Sequence, residues 1–299
     1  MKLLVTGAWR CTEKQLNALK ELGNEIVFMQ NERDELPCAY EDVDAVICNG
    51  LFLYHPIEKF VNLRYIQLTS AGFDRVSMDY VNARGIKIHN ARGVYSIPMA
   101  EYAVSGVLQL YKQAQFFYGN QQRKEWIKHR GILELYGKTV CIVGCGNVGT
   151  ECAKRFGAFG CRVIGVDLFP TDNANYDKIY PICDIDESLT IADVVVLTLP
   201  LTDETRHMMS TERFTALKHG TVLVNIARGA IIDEKALLNA LDEKLYGAVL
   251  DVFEEEPLSE ESPLWEKKNV IITPHNSFVG EGNNDRLWNV IMSNLENPV

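Results

Sequence analysis

The sequence predicts an α/β protein with two doubly wound domains. Short apolar runs that resemble buried strands alternate with helical patterns along nearly the whole chain, and this order favours parallel sheets. The clearer series of runs lies in the middle of the chain, and a second series occupies the first 95 residues. We therefore expect a larger α/β domain in the middle and a smaller one that begins at the N-terminus.

Six runs make up the middle series, and several are almost continuously apolar, as parallel strands buried on both faces should be. They are Thr139–Gly144, Cys161–Asp167, Asp193–Pro200, Thr221–Ala227, Gly247–Val252 and Asn269–Pro274. Helical periodicity fills gaps between them, as in Val148, Cys152 and Phe156, which recur at every fourth position. Six strands with helical crossovers favour a sheet of the dinucleotide-binding type.

Five shorter runs form the N-terminal series. They are Lys2–Thr6, Glu25–Met29, Ala45–Cys48, Tyr65–Thr69 and Ile86–His89. A long helix from Ser96 to about Gln113 separates the two series, and a last helical pattern at Asn284–Asn294 should return to the first domain. We predict a discontinuous domain of residues 1–95 plus 276–299 and an inserted domain of residues 96–275.

Composition and charge exclude several classes of protein. The 299 residues are 47% hydrophobic and 23% charged, which is typical of a globular protein. No apolar run reaches the ~18 residues of a membrane span, and the N-terminus lacks the pattern of a secretory signal. With 40 acidic and 30 basic residues, a nucleic-acid partner is not expected. These features favour a cytoplasmic protein.

The eight cysteines indicate reduced, mostly buried thiols rather than a metal or redox centre. No pair has the Cys-x-x-Cys spacing, and most lie in apolar runs. Cys145 lies in a glycine-rich loop, but nothing near it in the sequence indicates a reactive thiolate. We predict no metal site.

The glycine loop follows the first strand of the middle series. The segment Gly144-Cys145-Gly146-Asn147-Val148-Gly149 has GxGxxG spacing between a strand and an amphipathic helix. Gly144 permits a tight turn, Gly146 lets the backbone approach a pyrophosphate, and Gly149 lets helix and strand pack closely. Because the helix N-terminus also offers free N–H groups to phosphates, the segment predicts a dinucleotide site.

Asp167 ends the next strand, 18 residues after Gly149. A carboxylate at that place accepts hydrogen bonds from the adenosine ribose hydroxyls and repels a 2′-phosphate. Asp167 therefore favours NAD over NADP as the cofactor.

Three chemically active side chains follow the last three strands of the middle series. Arg228 follows the fourth strand, Glu256 the fifth and His275 the sixth. Since ligands of open α/β sheets bind at the carboxyl ends of the strands, we expect these three side chains to converge beside the nicotinamide.

With these segments the sequence resembles the D-isomer-specific 2-hydroxyacid dehydrogenase family over nearly its whole length. Besides the glycine loop and Asp167, the resemblance rests on four segments: Leu199-Pro200-Leu201-Thr202, Ala227-Arg228-Gly229, Asp251 with Glu256-Pro257, and Pro274-His275. It implies a Rossmann NAD-binding domain inserted into a smaller flavodoxin-like substrate domain, an active site in the cleft, and usually a homodimer. We expect the dimer to form through the helix that begins at Ser96 and the aromatic residues Phe116, Phe117 and Tyr118 after it.

The resemblance implies NAD-dependent interconversion of a 2-oxoacid and a D-2-hydroxyacid. Arg228 would bind the substrate carboxylate and polarise its carbonyl group, because a guanidinium fits a carboxylate with two parallel hydrogen bonds. His275 would exchange a proton with the carbonyl oxygen, and Glu256 would hold His275 and favour its protonated form. The other implied NAD contacts are Leu199, Pro200, Ile226, Ala227 and Asp251, with Arg228 and His275 beside them.

The loop Ser70-Ala71-Gly72 resembles the substrate loop of the family, whose backbone N–H groups hold the substrate carboxylate. For the substrate side chain the candidates are Leu51, Phe52, Tyr54 and Trp288, which favour a small or apolar group. The segment 276–282 departs from the commoner His-x-Ala-Gly-x-Thr pattern of the family, so the turn that faces the cofactor can differ there.

Three other classes of protein also resemble this chain. Formate dehydrogenases resemble this chain but pair the histidine with glutamine, so Glu256 argues against them. Phosphonate dehydrogenases share the arginine, glutamate and histidine. Transcriptional corepressors that bind NAD also resemble the family, but no recruitment segment is visible in the sequence.

Overall fold

A computed structural model describes residues 1–296 of the chain. Its contacts divide the chain into unit 1, residues 1–95 and 280–296, and unit 2, residues 96–279. The second boundary lies four residues later than predicted, because the N–H groups of Asn276 and Ser277 donate to the carboxylate of Asp251 in unit 2. Residues 297–299 of the predicted segment 276–299 lie outside the described residues.

Unit 1 contains a parallel sheet of five strands. The strands are β1 (Lys2–Thr6), β2 (Glu25–Met29), β3 (Ala45–Cys48), β4 (Tyr65–Leu68) and β5 (Lys87–His89), and the helices between them are α1 (Glu13–Glu21) and α2 (Met78–Arg84). The strand order β2-β1-β3-β4-β5 is that of a flavodoxin-like sheet. The predicted smaller α/β domain is confirmed, with strand bounds within one residue of those expected.

Unit 2 contains a parallel sheet of seven strands in the order β12-β11-β10-β9-β6-β7-β8. The strands are β6 (Thr139–Val143), β7 (Arg162–Asp167), β8 (Lys178–Pro181), β9 (Val194–Leu197), β10 (Thr221–Asn225), β11 (Leu245–Leu250) and β12 (Val270–Ile272). This is the dinucleotide-binding order extended by one strand, and the order reverses between β6 and β9. The predicted Rossmann sheet is confirmed, but the sequence analysis missed β8, a four-residue edge strand that begins with a lysine and ends with a proline.

Helices cover both faces of this sheet. They are α3 (Ser96–Tyr111), α4 (Ala114–Arg123), α5 (Asn147–Ala158), α6 (Ile185–Ile191), α7 (Thr211–Ala216) and α8 (Glu234–Glu243), after which the chain returns to unit 1 as α9 (Asn283–Glu296). The predicted long helix ends at Tyr111, because Gln113 has a left-handed backbone conformation with φ of 55°. Helix α8 begins after Asp233, whose carboxylate accepts hydrogen bonds from the N–H groups of Lys235 and Ala236.

Alternate residues of the strands of unit 2 enter two separate hydrophobic clusters. Val140 and Ile142 of β6 pack on the side of α3 and α5, whereas Cys141 and Val143 pack on the side of α6, α7 and α8. A sheet covered on both faces leaves the ends of its strands as the accessible place for polar chemistry. No helix among residues 1–296 is long and apolar enough to cross a membrane.

Candidate active site

The glycine loop joins β6 to α5 where the strand order reverses. Gly144 has φ of 99°, and a Cβ atom on it would lie 2.7 Å from the backbone nitrogen of Leu199. A Cβ atom on Gly149 would lie 2.1 Å from the carbonyl oxygen of Gly144, so α5 packs directly on the loop. By contrast, a Cβ atom on Gly146 would meet nothing within 4 Å. The loop is therefore tight where the chain packs on itself and open at the glycine expected to face a ligand.

Asp167 lies at the end of β7 beside this loop. One carboxylate oxygen accepts a hydrogen bond of 2.6 Å from the N–H group of Cys145, and the other accepts one of 3.0 Å from Phe169. The side chain is half-buried and reaches solvent. Burial raises the pKa of the Cys145 thiol to about 12, so the cysteine of the loop is not a thiolate at neutral pH.

Arg228 lies on the loop that follows β10. The buried Asn225 holds this loop, because its Oδ1 atom accepts from the N–H group of Ala227 and its Nδ2 atom donates to the carbonyl of Arg228. A Cβ atom on Gly229 would lie 1.8 Å from the carbonyl carbon of Phe253, so only glycine fits there. This close backbone contact sets the exposed Arg228 beside the segment that carries Glu256.

Glu256 and His275 form a hydrogen-bonded pair. The Nδ1 atom of His275 lies 2.9 Å from the Oε2 atom of Glu256, whose Oε1 atom accepts from the N–H group of Phe253. No hydrogen bond joins the Nε2 atom of His275 to any described residue, and 43% of the His275 side chain is exposed. An imidazole held by a carboxylate at Nδ1 can exchange a proton at Nε2.

Asp251 holds the backbone around His275. Its side chain is fully buried and accepts hydrogen bonds from the hydroxyl of Thr273 at 2.5 Å and from the N–H groups of Asn276 and Ser277 at 2.7 and 2.9 Å. The N–H group of His275 donates to the carbonyl of Asp251, and His275 adopts φ of 49°. The structure thus gives Asp251 a positioning role that the sequence analysis missed, and its expected contact with the nicotinamide stays a prediction.

Comparison with known proteins identifies the family. The model described as D-isomer specific 2-hydroxyacid dehydrogenase, NAD binding domain, matches residues 104–277, which is more than half of the chain. The chain belongs to the D-isomer-specific 2-hydroxyacid dehydrogenase family. Its unit 2 accordingly contains the NAD-binding domain of this family of oxidoreductases.

Individual relatives agree with this assignment. The chain is 36% identical over 281 residues to a D-3-phosphoglycerate dehydrogenase of Methanocaldococcus jannaschii, covering 92% of this chain and 53% of that protein. It is 33% identical to a glyoxylate reductase of Thermofilum pendens, covering 88% and 81% of the two chains. A solved structure of a family protein from Aeromonas salmonicida has a TM-score of 0.83 and 31% identity, covering 99% of this chain and 94% of that one. The chain thus spans about half the length of the first relative.

The glycine loop fits the NAD that the family implies. The open face of Gly146 and the start of α5 at Asn147, where the structure gives no side-chain cap, suit a pyrophosphate. Of the other expected contacts, Ile226, Ala227 and Leu199 are largely buried and Pro200 is exposed. Thr198 was missed in the sequence: its hydroxyl donates to the carbonyl of Gly144 at 2.6 Å and so ties β9 to the loop.

In the predicted substrate loop of unit 1, the carbonyl groups of Ala71 and Gly72 accept hydrogen bonds from side chains. The Nδ2 atom of Asn90 donates to the carbonyl of Ala71 at 2.6 Å, and the hydroxyl of Ser70 donates to that of Gly72 at 3.0 Å. These bonds fix the backbone of the loop, and its contact with substrate stays a prediction.

The candidates for a substrate side-chain pocket need a correction. Leu51 is fully buried in the core of unit 1 and cannot line a pocket. Trp288 stacks on Trp9 with ring centroids 5.7 Å apart. Tyr54 is exposed, and its hydroxyl accepts a hydrogen bond from Arg33. The positively charged Arg33 therefore lies beside a residue that was expected to line an apolar pocket.

Proposed function

We propose that this protein interconverts a 2-oxoacid and a D-2-hydroxyacid with NAD as the cofactor. The observation that carries the proposal is the Glu256–His275 pair at 2.9 Å, with Arg228 on a loop whose Gly229 packs against the backbone at Phe253. An acid–base pair beside an exposed guanidinium suits a substrate that carries a carboxylate next to a carbonyl group.

Arg228 serves in this proposal as the substrate anchor. Its planar guanidinium donates two parallel hydrogen bonds to a carboxylate, which fixes the orientation of the neighbouring carbonyl. The loop from Asn225 to Gly229 is held by the amide of Asn225 and by the close contact of Gly229. A preorganised cation of this kind costs little reorganisation as negative charge develops on the carbonyl oxygen.

His275 serves as the acid in reduction and as the base in oxidation. Glu256 accepts a hydrogen bond from the Nδ1–H group, which leaves Nε2 to exchange a proton with the carbonyl oxygen of the substrate. When bound, NADH would supply the hydride that reduces C2.

A turnover screen tests the proposed function. Purified protein with NADH is offered glyoxylate, hydroxypyruvate, pyruvate, and branched and aromatic 2-oxoacids, and oxidation is followed at 340 nm. The first two compounds come first because curated relatives of the chain are named glyoxylate and hydroxypyruvate reductases. Binding of NADH without turnover of any oxoacid would contradict the proposal and favour a regulatory protein of the corepressor type.

Cofactor choice should depend on Asp167. We expect NADH to be strongly preferred over NADPH, because the Asp167 carboxylate would accept hydrogen bonds from the adenosine ribose hydroxyls and would repel a 2′-phosphate. Asp167→Ser should lower the ratio of kcat/KM with NADH to kcat/KM with NADPH, mainly through changes in the KM for the cofactor. Asp172→Ser, a change at an exposed carboxylate five residues further on, serves as the control. Equal use of NADPH by the unaltered protein would contradict the ribose assignment.

We also propose a homodimer formed through α4 and the segment that follows it. Tyr118 and Trp126 are 65% and 97% exposed, and Phe117 and Ile127 beside them also reach solvent. Large apolar side chains exposed together are typical of protein interfaces. A two-fold axis would let the same surface of a second copy cover them.

Light scattering at micromolar concentration should give the mass of two chains. The double change Tyr118→Glu with Trp126→Glu should shift the mass toward one chain, because it places charge in the interface. Trp265→Glu, at another exposed tryptophan, should leave the mass unchanged. A single-chain mass for the unaltered protein would overturn the dimer.

A further inference from the structure

A second histidine–glutamate pair lies outside the proposed proton-transfer machinery. The Nε2 atom of His207 is 2.8 Å from the Oε1 atom of Glu254, and both side chains are partly exposed. Burial and the negative charge of Glu254 raise the pKa of the nearby Glu234. Glu254 therefore has a second carboxyl group close to it, and a histidine ring is a favourable hydrogen-bond partner there.

The backbone of His207 is bonded to the loop that follows Arg228. Its N–H group donates to the carbonyl of Ala230 at 2.8 Å, and the N–H group of Met209, two residues later, donates to the carbonyl of Ile231 at 3.0 Å. His207 itself has φ of 50°, in the left-handed region, which asparagine, aspartate and histidine adopt more often than other residues except glycine. With this backbone conformation the imidazole contacts Glu254, while the N–H group of the same residue donates to the carbonyl of Ala230.

The two partners of His207 lie close in the sequence to Arg228 and to Glu256. Ala230 is two residues after Arg228, and Glu254 is two residues before Glu256. These loops already touch at Gly229, where a Cβ atom would lie 1.8 Å from the carbonyl carbon of Phe253. His207 therefore bonds to both of the segments that meet in this contact between Gly229 and Phe253.

We propose that His207 is a positioning residue that clamps the Arg228 loop against the Glu256 segment. Its backbone holds the first loop and its ring holds the second through Glu254. Loss of the ring contact should let the loops separate, which moves the guanidinium relative to the Glu256–His275 pair. The kinetic part of this inference rests on the proposed function, whereas the clamp itself does not.

Amide hydrogen exchange measured by mass spectrometry tests the clamp without any substrate. His207→Asn keeps a residue that tolerates the left-handed backbone but is too short to reach Glu254. We expect exchange to become about threefold to tenfold faster in both peptides, 228–232 and 252–257, because partly exposed ion pairs contribute modestly. Glu254→Gln should act on the same two peptides. His219→Asn, at an exposed histidine outside these contacts, should change neither peptide.

Kinetics with an oxoacid identified in the turnover screen test the consequence. His207→Asn should lower kcat/KM for the oxoacid about threefold to tenfold while the Kd for NADH and the melting temperature stay unchanged. The double variant with Glu254→Gln should be no worse than either single variant, since the two side chains act as one contact. His207→Gln, whose amide can still donate to Glu254, should recover part of the loss.

The outcomes separate the clamp from the proposed function. Unchanged exchange in either peptide, or losses in kcat/KM that simply add in the double variant, would overturn the positioning role of His207. Absence of turnover by the unaltered protein would overturn the proposed function, and the exchange result would still decide whether the clamp exists.

Discussion

Replacing His275 with alanine is expected to lower kcat for oxoacid reduction by ~10²–10⁴-fold and to leave NADH affinity nearly unchanged. The imidazole acts on the carbonyl oxygen only as charge develops there, so its loss affects the chemical step more than binding. Stopped-flow turnover gives kcat, and quenching of protein fluorescence gives the Kd for NADH. His219→Ala, at an exposed histidine, is the matched control.

Glu256→Gln separates the acid from the group that holds it. Glutamine keeps the shape of the side chain at 2.9 Å from Nδ1 but removes its negative charge. Because the carboxylate that orients the ring is lost, we expect kcat for oxoacid reduction to fall by ~10²-fold or more, while the Kd for NADH stays unchanged. An unchanged kcat, with chemistry shown to be rate-limiting, would refute the assigned pair.

Arg228→Ala is expected to lower kcat/KM for the oxoacid by about 10²-fold or more, with a higher KM and a lower kcat. The change removes the carboxylate anchor and the polarisation of the carbonyl together. Arg228→Lys should recover little, because a point charge does not reproduce the two parallel hydrogen bonds of a guanidinium.

Initial rates over a range of oxoacid concentrations give both constants for the Arg228 variants. Arg162→Ala, at an exposed arginine that begins β7, controls for the loss of one positive charge from the domain. A kcat equal to that of the unaltered protein, with only KM raised, would limit Arg228 to substrate binding and contradict its role at the carbonyl.

Much of the fold could be predicted because parallel strands buried on both faces leave a strong apolar signal. Strands β3, β4, β9 and β10 are buried at every residue and have this signal. Strand β8 does not, since an edge strand of four residues that starts at Lys178 is not surrounded by core. The break at Gln113 was missed for a similar reason, because neither glycine nor proline marks it.

The identity of the candidate site residues was accessible from motif spacing, but their supporting contacts were not. Spacing along the chain places Arg228, Glu256 and His275 after successive strands, and the structure pairs the last two. It cannot tell that Asp251 accepts three hydrogen bonds around His275, because these partners depend on backbone direction in a loop. Leu51 was misplaced for the opposite reason, since an apolar residue after a strand fits a core as well as a pocket.

The arrangement around Asp251 has a consequence for engineering. Its buried carboxylate, the Asn225 amide and the Gly229 contact all lie within residues 225–277, and His207 also belongs to unit 2, so these supports of the arginine and of the acid–base pair come from a single unit. An exchange of residues 96–279 between this chain and a relative should therefore transfer these supports together, as one block.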